Sequence, residues 1–234
     1  MIPSVIQRYS YNSNWPNMPC RKQADKDKSD KNCVLMFILL RIFAPMKQIL
    51  LHCCCAPCAA AIIEWMMDND IRPTLYYCNP NIYPYEEYFI RKEELSRYAT
   101  RLGLDVIDDD YNHEAWRQQV CGLEEEPERG RRCLQCFKAR LLRSAQAAAR
   151  LGITDFATTL ASSRWKSLEQ IEEAGLWAAS MVEGPRFVAR NWRKGGLQQR
   201  RNELLRENGF YNQQYCGCEF SIRKPPATDG ENKE

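Results

Sequence analysis

Cysteine is the residue type whose numbers and spacing in this 234-residue chain could do chemistry. Twelve are present, ten after residue 50, mostly in tight groups rather than spread as in a secreted disulfide framework. The densest group is QILLHCCCAPC, residues 48–58: Cys53, Cys54 and Cys55 in a row, then Cys58. A second is Cys133-Leu-Gln-Cys136, preceded by Arg129, Arg131 and Arg132, cations that favour thiolate over thiol. A third is Cys216-Gly-Cys218, whose glycine permits the sharp backbone that brings neighbouring sulfurs together. Thiolate is the form that binds metal or attacks. Cys54 and Cys55 with Cys133 and Cys136 make a four-thiolate set, suited to zinc or a [4Fe–4S] cluster. Adjacent cysteines are unusual for zinc, whose ligands usually come as spaced pairs, and buried structural thiols are the plain alternative. Cys216 and Cys218 suit a strained, redox-active disulfide, a metal pair, or two unrelated thiols. Cys58 reads as a further ligand, a reactive thiolate or a half-buried thiol.

The elements that must position these thiols follow from periodicity. Residues 49–51 are a short apolar run fit for a buried parallel strand, and Pro57 fits the first turn of a helix over 58–68. The first cysteine group therefore lies between a strand's C-terminal end and a helix N-terminus, where open α/β sheets bind ligands and the helix dipole favours thiolate. Further strands are expected at 73–79, 105–109, 155–161 and 187–192. Helices are expected at 86–102, 113–121, 132–151, 167–174 and 196–208, several closed by glycine. The alternation predicts an α/β fold: a mostly parallel, Rossmann-like sheet flanked by helices, with a cysteine-rich metal site at the C-terminal ends of the strands. His52 fits a packed residue better than a ligand, and Asp108 to Asp110 a polar turn better than a cation site. Tyr83, Tyr85 and Tyr88 suit packing, with base stacking or proton donation as the alternative.

Apolar content of 44% and six tryptophans argue for a real core. The net charge of +3 is concentrated in residues 1–45, which hold seven Lys/Arg against three Asp/Glu. That polar stretch is expected to be a poorly structured N-terminal extension, or to precede a start at Met46. Residues 46–223 are the expected catalytic domain and 224–234 a disordered tail. No signal peptide is recognisable, and the longest apolar run, within 34–45, is too short to span a bilayer, so a cytoplasmic protein without membrane partners is expected. From 186 to 206, Arg186, Arg190, Arg193, Lys194, Arg200, Arg201 and Arg206 face one acid, Glu203, with Phe187 and Trp192 interleaved. The segment suits phosphate contact, with Arg190, Arg193, Lys194 and Arg200 as candidates, or else a solvated helix face. Neither GxxxxGK[ST] nor GxGxxG occurs, so nucleotide binding by those motifs is not indicated.

Two resemblances bear on function. Cys55-Ala-Pro-Cys58 resembles a thioredoxin-type dithiol, which would make the chain a protein-disulfide oxidoreductase, although such an enzyme has no need of the other thiols. The wider pattern LLHCCCAPC, YYCNPNIYPYEEY, RCLQCFKARL, FATTLASSRWK, NWRKGG and YNQQYCGCEFS, from about residue 46 to 223, resembles the epoxyqueuosine reductases of the QueH type. That resemblance implies reduction of the epoxide of epoxyqueuosine at the wobble position of tRNA, the last step of queuosine synthesis, without cobalamin. It implies a [4Fe–4S] cluster on Cys54, Cys55, Cys133 and Cys136, a redox-active disulfide between Cys216 and Cys218, and a possible second iron at Cys58. The expected partners are tRNA carrying epoxyqueuosine in its anticodon loop and an external electron donor.

Overall fold

In the computed structural model, residues 46–222 are described. The expectations for 1–45 and 224–234, and Cys20 and Cys33, lie outside the described residues.

The chain alternates strand and helix. It runs β1 (Lys47–His52), α1 (Ala56–Asp68), β2 (Ile71–Tyr77), α2 (Tyr85–Arg101), β3 (Val106–Asp108), α3 (His113–Gln119) and α4 (Arg131–Arg150). It continues with β4 (Asp155–Thr158), a 3-10 turn (Thr159–Ser162), α5 (Leu168–Ser180), β5 (Arg186–Phe187), α6 (Leu197–Glu207) and a last 3-10 turn (Glu219–Ser221). The five strands form one sheet in the order β3-β2-β1-β4-β5, every neighbouring pair parallel. This is the expected α/β architecture. Six helices cover the sheet: α1 packs on α2 and α6, and α4 packs on α3 and α5.

β1 is central because it is apolar on both faces. Ile49, Leu50 and Leu51 are buried, at about 1.5–3 kcal/mol of hydrophobic stabilisation each. Pro73 sits inside β2, where a missing N–H ordinarily breaks the ladder. Leu75 N–H bonds Asp105 O on the β3 side, so Pro73, two residues earlier, aims its nitrogen the same way. β3 pairs only from Leu75 onward, so no ladder bond is lost there.

Three boundaries differ from the sequence reading, each for a physical reason. The fourth strand stops at Thr158 instead of 161, because the Thr158 hydroxyl caps Leu160 N and turns the chain into a 3-10 helix. The fifth strand is two residues long, at the sheet edge. α5 runs on to Ser180 instead of stopping at 174: Gly175 is no terminator but a buried helix-interior glycine that admits the ring of Phe187. A Cβ there would lie 2.3 Å from that ring. Gly175→Ala would gain about 1 kcal/mol of helix propensity, but overpacking typically costs about 1–3 kcal/mol, so a net loss is expected in denaturant unfolding. Adding Phe187→Leu should recover part of it.

Candidate metal and substrate site

The site lies where the sheet order reverses, above the C-terminal ends of β1 and β4. Cys55 is the residue before α1, with extended backbone, and Pro57 occupies the first helical positions. Cys54, Cys55 and Cys58 converge there: their sulfurs all lie within 4.8 Å of one another, and all three residues are buried. Among the described residues this is the tight group with metal-ligand chemistry. Cys53 points away, its thiol donating to Leu51 O at 3.3 Å, and is fully buried.

The turn after β4 supports the triad. Thr159 Oγ1 accepts from Cys54 N at 3.2 Å and its hydroxyl donates to Cys54 Sγ at 3.5 Å. Hydrogen bonds from Cys55, Cys58 and Thr159, with the charge of Lys166, hold the Cys54 thiol well below its usual pKa despite burial. Burial and the neighbouring Cys54 charge push Cys55 up. Cys58 rises to about 11, chiefly by donating to Cys54. Of the three, Cys54 is the one its surroundings favour as thiolate.

A polar network fixes the strand ends below. His52 Nε2–H donates to Cys78 O at 3.0 Å, so its Nδ1 accepts from the Thr158 hydroxyl at 2.8 Å. Burial, reinforced by Arg140, lowers the His52 pKa to about 3, and it stays neutral as a packed residue. Arg140, on α4 one turn after Cys136, donates to Cys78 O at 3.2 Å and to Asn79 Oδ1; Asn79 donates on to Cys53 O at 2.9 Å. Arg140 is buried without a carboxylate partner among the described residues. Burial works against its charge, while the neighbouring sulfurs, Cys54 the most acidic of them, work for it.

A cavity of about 510 Å³ opens over the triad. Cys54, Cys58, Cys133, Cys216 and Cys218 line it. Cys133 accepts from Arg129 N at 3.3 Å, and burial raises its pKa. Cys136 lies behind the wall, packed with Trp116, Val120 and Cys218. Neither Cys133 nor Cys136 joins the tight triad; Cys133 shares the cavity lining with Cys54 and Cys58, and Cys136 does not reach it. Lys166 also lines it. Burial opposes its charge, yet the sulfurs of Cys216, Cys54 and Cys58 raise its pKa, so it remains an ammonium facing them. Seven lining residues are Arg or Lys and one, Glu128, is acidic, so the cavity favours an anionic ligand.

The tail closes this space. Arg91 and Glu87 pair on α2, and Arg91 donates to Tyr215 O and Cys216 O, both at 3.2 Å. Tyr83 N donates to Gly217 O at 2.8 Å, and Ile82 bridges Cys218. Cys216 and Cys218 are free thiols, and burial raises Cys218 to about 12. Gln213 Nε2 donates to Cys55 Sγ at 2.9 Å, while its Oε1 is buried without a partner, an acceptor left for a ligand.

The basic segment is mostly engaged within the protein. Arg190 stacks on Trp65, 3.8 Å from its centroid. Arg193 donates to Ser163 O and Lys166 O, and Arg200 is held by Glu64, Glu203 and Glu207. Glu64 comes from α1, so counting acids along residues 186–206 missed it. Lys194 is exposed. Asp108 and Asp109 pair with Lys92 and Arg143, as a polar turn does. Tyr88 is buried and Tyr83 stacks on His113.

The family model described as epoxyqueuosine reductase QueH matches residues 49–224. The chain belongs to the QueH family. It is 39% identical over 208 residues to the epoxyqueuosine reductase QueH of Histophilus somni, covering 89% of this chain and 86% of that one. That match is longer than residues 46–234, so it reaches into the first 45 residues. The Acinetobacter baylyi QueH is 42% identical over 176 residues (75% and 81% covered), and that of Thermotoga maritima 36% over 180 (76% and 91%). Of the candidate site residues found only in the structure, Arg140 carried a signal, four residues after Cys136 on the same helix face. Thr159, Lys166 and Gln213 carried none.

Two outcomes are expected. A Cβ at Gly217, whose φ is +101°, would meet Ile82 Cγ1 at 2.8 Å. Gly217→Ala should therefore release the tail, read as lost hydrogen-exchange protection at Tyr83 N, at a cost of about 1–3 kcal/mol. Metal binding to the triad must displace protons from Cys55 and Cys58, whose pKa values are raised. Apparent affinity for zinc or ferrous iron should rise with pH, with calorimetric heats that depend on the buffer's ionisation enthalpy.

Proposed function

We propose that the chain reduces the epoxide of epoxyqueuosine at the wobble position of tRNA, giving queuosine. The observation that carries this reading is a cavity that joins cysteine thiols from three separate segments to a strongly cationic wall, in a chain of the QueH family. Two electrons and two protons remove the bridging oxygen as water and leave the ring double bond. An external donor supplies the electrons.

The thiol set fits a [4Fe–4S] cluster on Cys54, Cys55, Cys133 and Cys136, with Cys58 as ligand of a second iron. A cubane takes one thiolate at each of four irons, so Cys54 and Cys55, whose sulfurs lie 3.8 Å apart, would spread to hold it. Cys54 and Cys133 face one cavity, which supports the reading. Such a cluster would supply single electrons, and a second iron at Cys58 would supply Lewis acidity toward oxygen. Cys216 and Cys218 hold an electron pair as two thiols and give it up, with two protons, on closing to a disulfide in turnover. Lys166 holds positive charge where oxygen leaves, and Gln213 Oε1 takes a hydrogen bond from the base or its cyclopentane hydroxyls.

Of the four cations expected on phosphate, Lys194 is exposed and without an ion pair among the described residues; Arg190, Arg193 and Arg200 reach RNA only by giving up internal partners. Arg201, at the cavity wall, is a further phosphate contact. The rival protein-disulfide reductase reading of Cys55 and Cys58 is disfavoured by their burial, which leaves no sulfur exposed to a protein substrate.

Anaerobic incubation with epoxyqueuosine tRNA and a reductant should give nucleoside lighter by one oxygen, and insulin disulfides should stay intact. The purified protein should be brown with about four or more irons per chain. Cys133→Ser or Cys136→Ser should bleach it, whereas Cys216→Ser with Cys218→Ser should keep the colour and stop turnover. A colourless protein with one zinc, or no loss of oxygen, sinks the reading.

A further inference from the structure

The loop from Ser163 to Lys166 carries the largest exposed ring in the described structure. Trp165 is 69% exposed at the mouth of the cavity, beside Arg164. A lone exposed apolar residue needs no explanation. This loop, however, is braced from beneath. Arg129 donates to Arg164 O at 2.8 Å and to Trp165 O at 3.1 Å. Arg193 donates to Ser163 O and to Lys166 O at 2.7 Å. All four carbonyls are therefore taken by two guanidiniums, and both outward side chains are left without polar partners. Arg129 itself has φ +70°, a left-handed conformation that glycine or asparagine adopts more readily. Such strain persists where the surroundings impose it, and only arginine offers the fork that grips two carbonyls. Gln170 in turn donates to Arg129 O at 2.8 Å. The bracing holds the backbone that carries Trp165 in place while the ring faces solvent.

We infer that the 163–166 loop is a stacking platform: Trp165 receives an unpaired base next to the nucleotide that enters the cavity, and Arg164 takes the adjoining phosphate. The inference rests on the tRNA reading above and adds to it what selects the substrate's shape. An open anticodon loop can splay a base onto an indole, whereas a paired stem offers phosphates but no free base face. The charge around the mouth matches: Arg129, Arg164, Lys166 and Arg201 against Glu128. Arg132 and Arg140 lie deeper and add to the same field.

The test uses the full-length, anaerobically prepared protein and two labelled RNAs, an anticodon-type hairpin and a blunt duplex of its stem. Anisotropy is read across a salt series. Trp165→Ala is expected to weaken hairpin binding about tenfold, to leave duplex binding unchanged, and to keep the salt slope, because stacking releases no counterions. Trp165→Phe should keep most of the hairpin affinity. Arg164→Ala should lower the slope of log Kd against log salt by about one. Unchanged duplex affinity shows that the Trp165 variants are folded, and an unchanged circular-dichroism spectrum shows it for Arg164→Ala. Hairpin binding by Trp165→Ala equal to wild type, or an equal loss on both RNAs, overturns the platform; the function above then stands if wild type still converts epoxyqueuosine tRNA. A wild-type protein that neither binds the hairpin nor converts the tRNA overturns both.

Discussion

Charge on buried sulfur has to be balanced within a few ångströms, and that requirement orders the rest of this structure. An isolated thiolate under protein is costly, and so is an isolated guanidinium or ammonium. Here they come together. Arg140 and Lys166 both feel the charge of Cys54, which offsets their burial. Arg91, also buried, is paired with the Glu87 carboxylate on its own helix. Removing either sign would strand the other. The hydrogen bonds of Arg140 and Asn79 to the ends of β1 and β2 then make the sheet edge part of the same electrostatic unit.

The sheet reads well from sequence because its signals are local. Ile49 to Leu51 can be only a strand core, and the glycines after α2 and α4, Gly103 and Gly152, take positive φ where those helices end. The failures are non-local. Gly175 looks like a stop signal until Phe187, twelve residues on, is seen against it. Thr158 and Thr159 belong to an apparent strand until their hydroxyls are found bonded to His52, Leu160 and Cys54.

The site divides the same way. The three cysteine groups are legible as groups, and a residue from each lines one cavity. Which thiols touch is not legible: Cys58 packs with Cys54 and Cys55, while Cys133 and Cys136 stand off. A charge run is the least transferable signal. Arg193 and Arg200 look free along the chain, but one braces a loop and the other is surrounded by carboxylates from α1 and α6.

The tail has a consequence of its own. Residues 210–222 roof the cavity and deliver Gln213, Cys216 and Cys218, yet they are nearly the last of the described chain to leave the ribosome. Sheet, triad and CxxC helix can all be in place while the chamber still lies open. A ligand can therefore enter from the open side before closure, and Arg91, by gripping the carbonyls of Tyr215 and Cys216, latches the tail over the chamber afterwards.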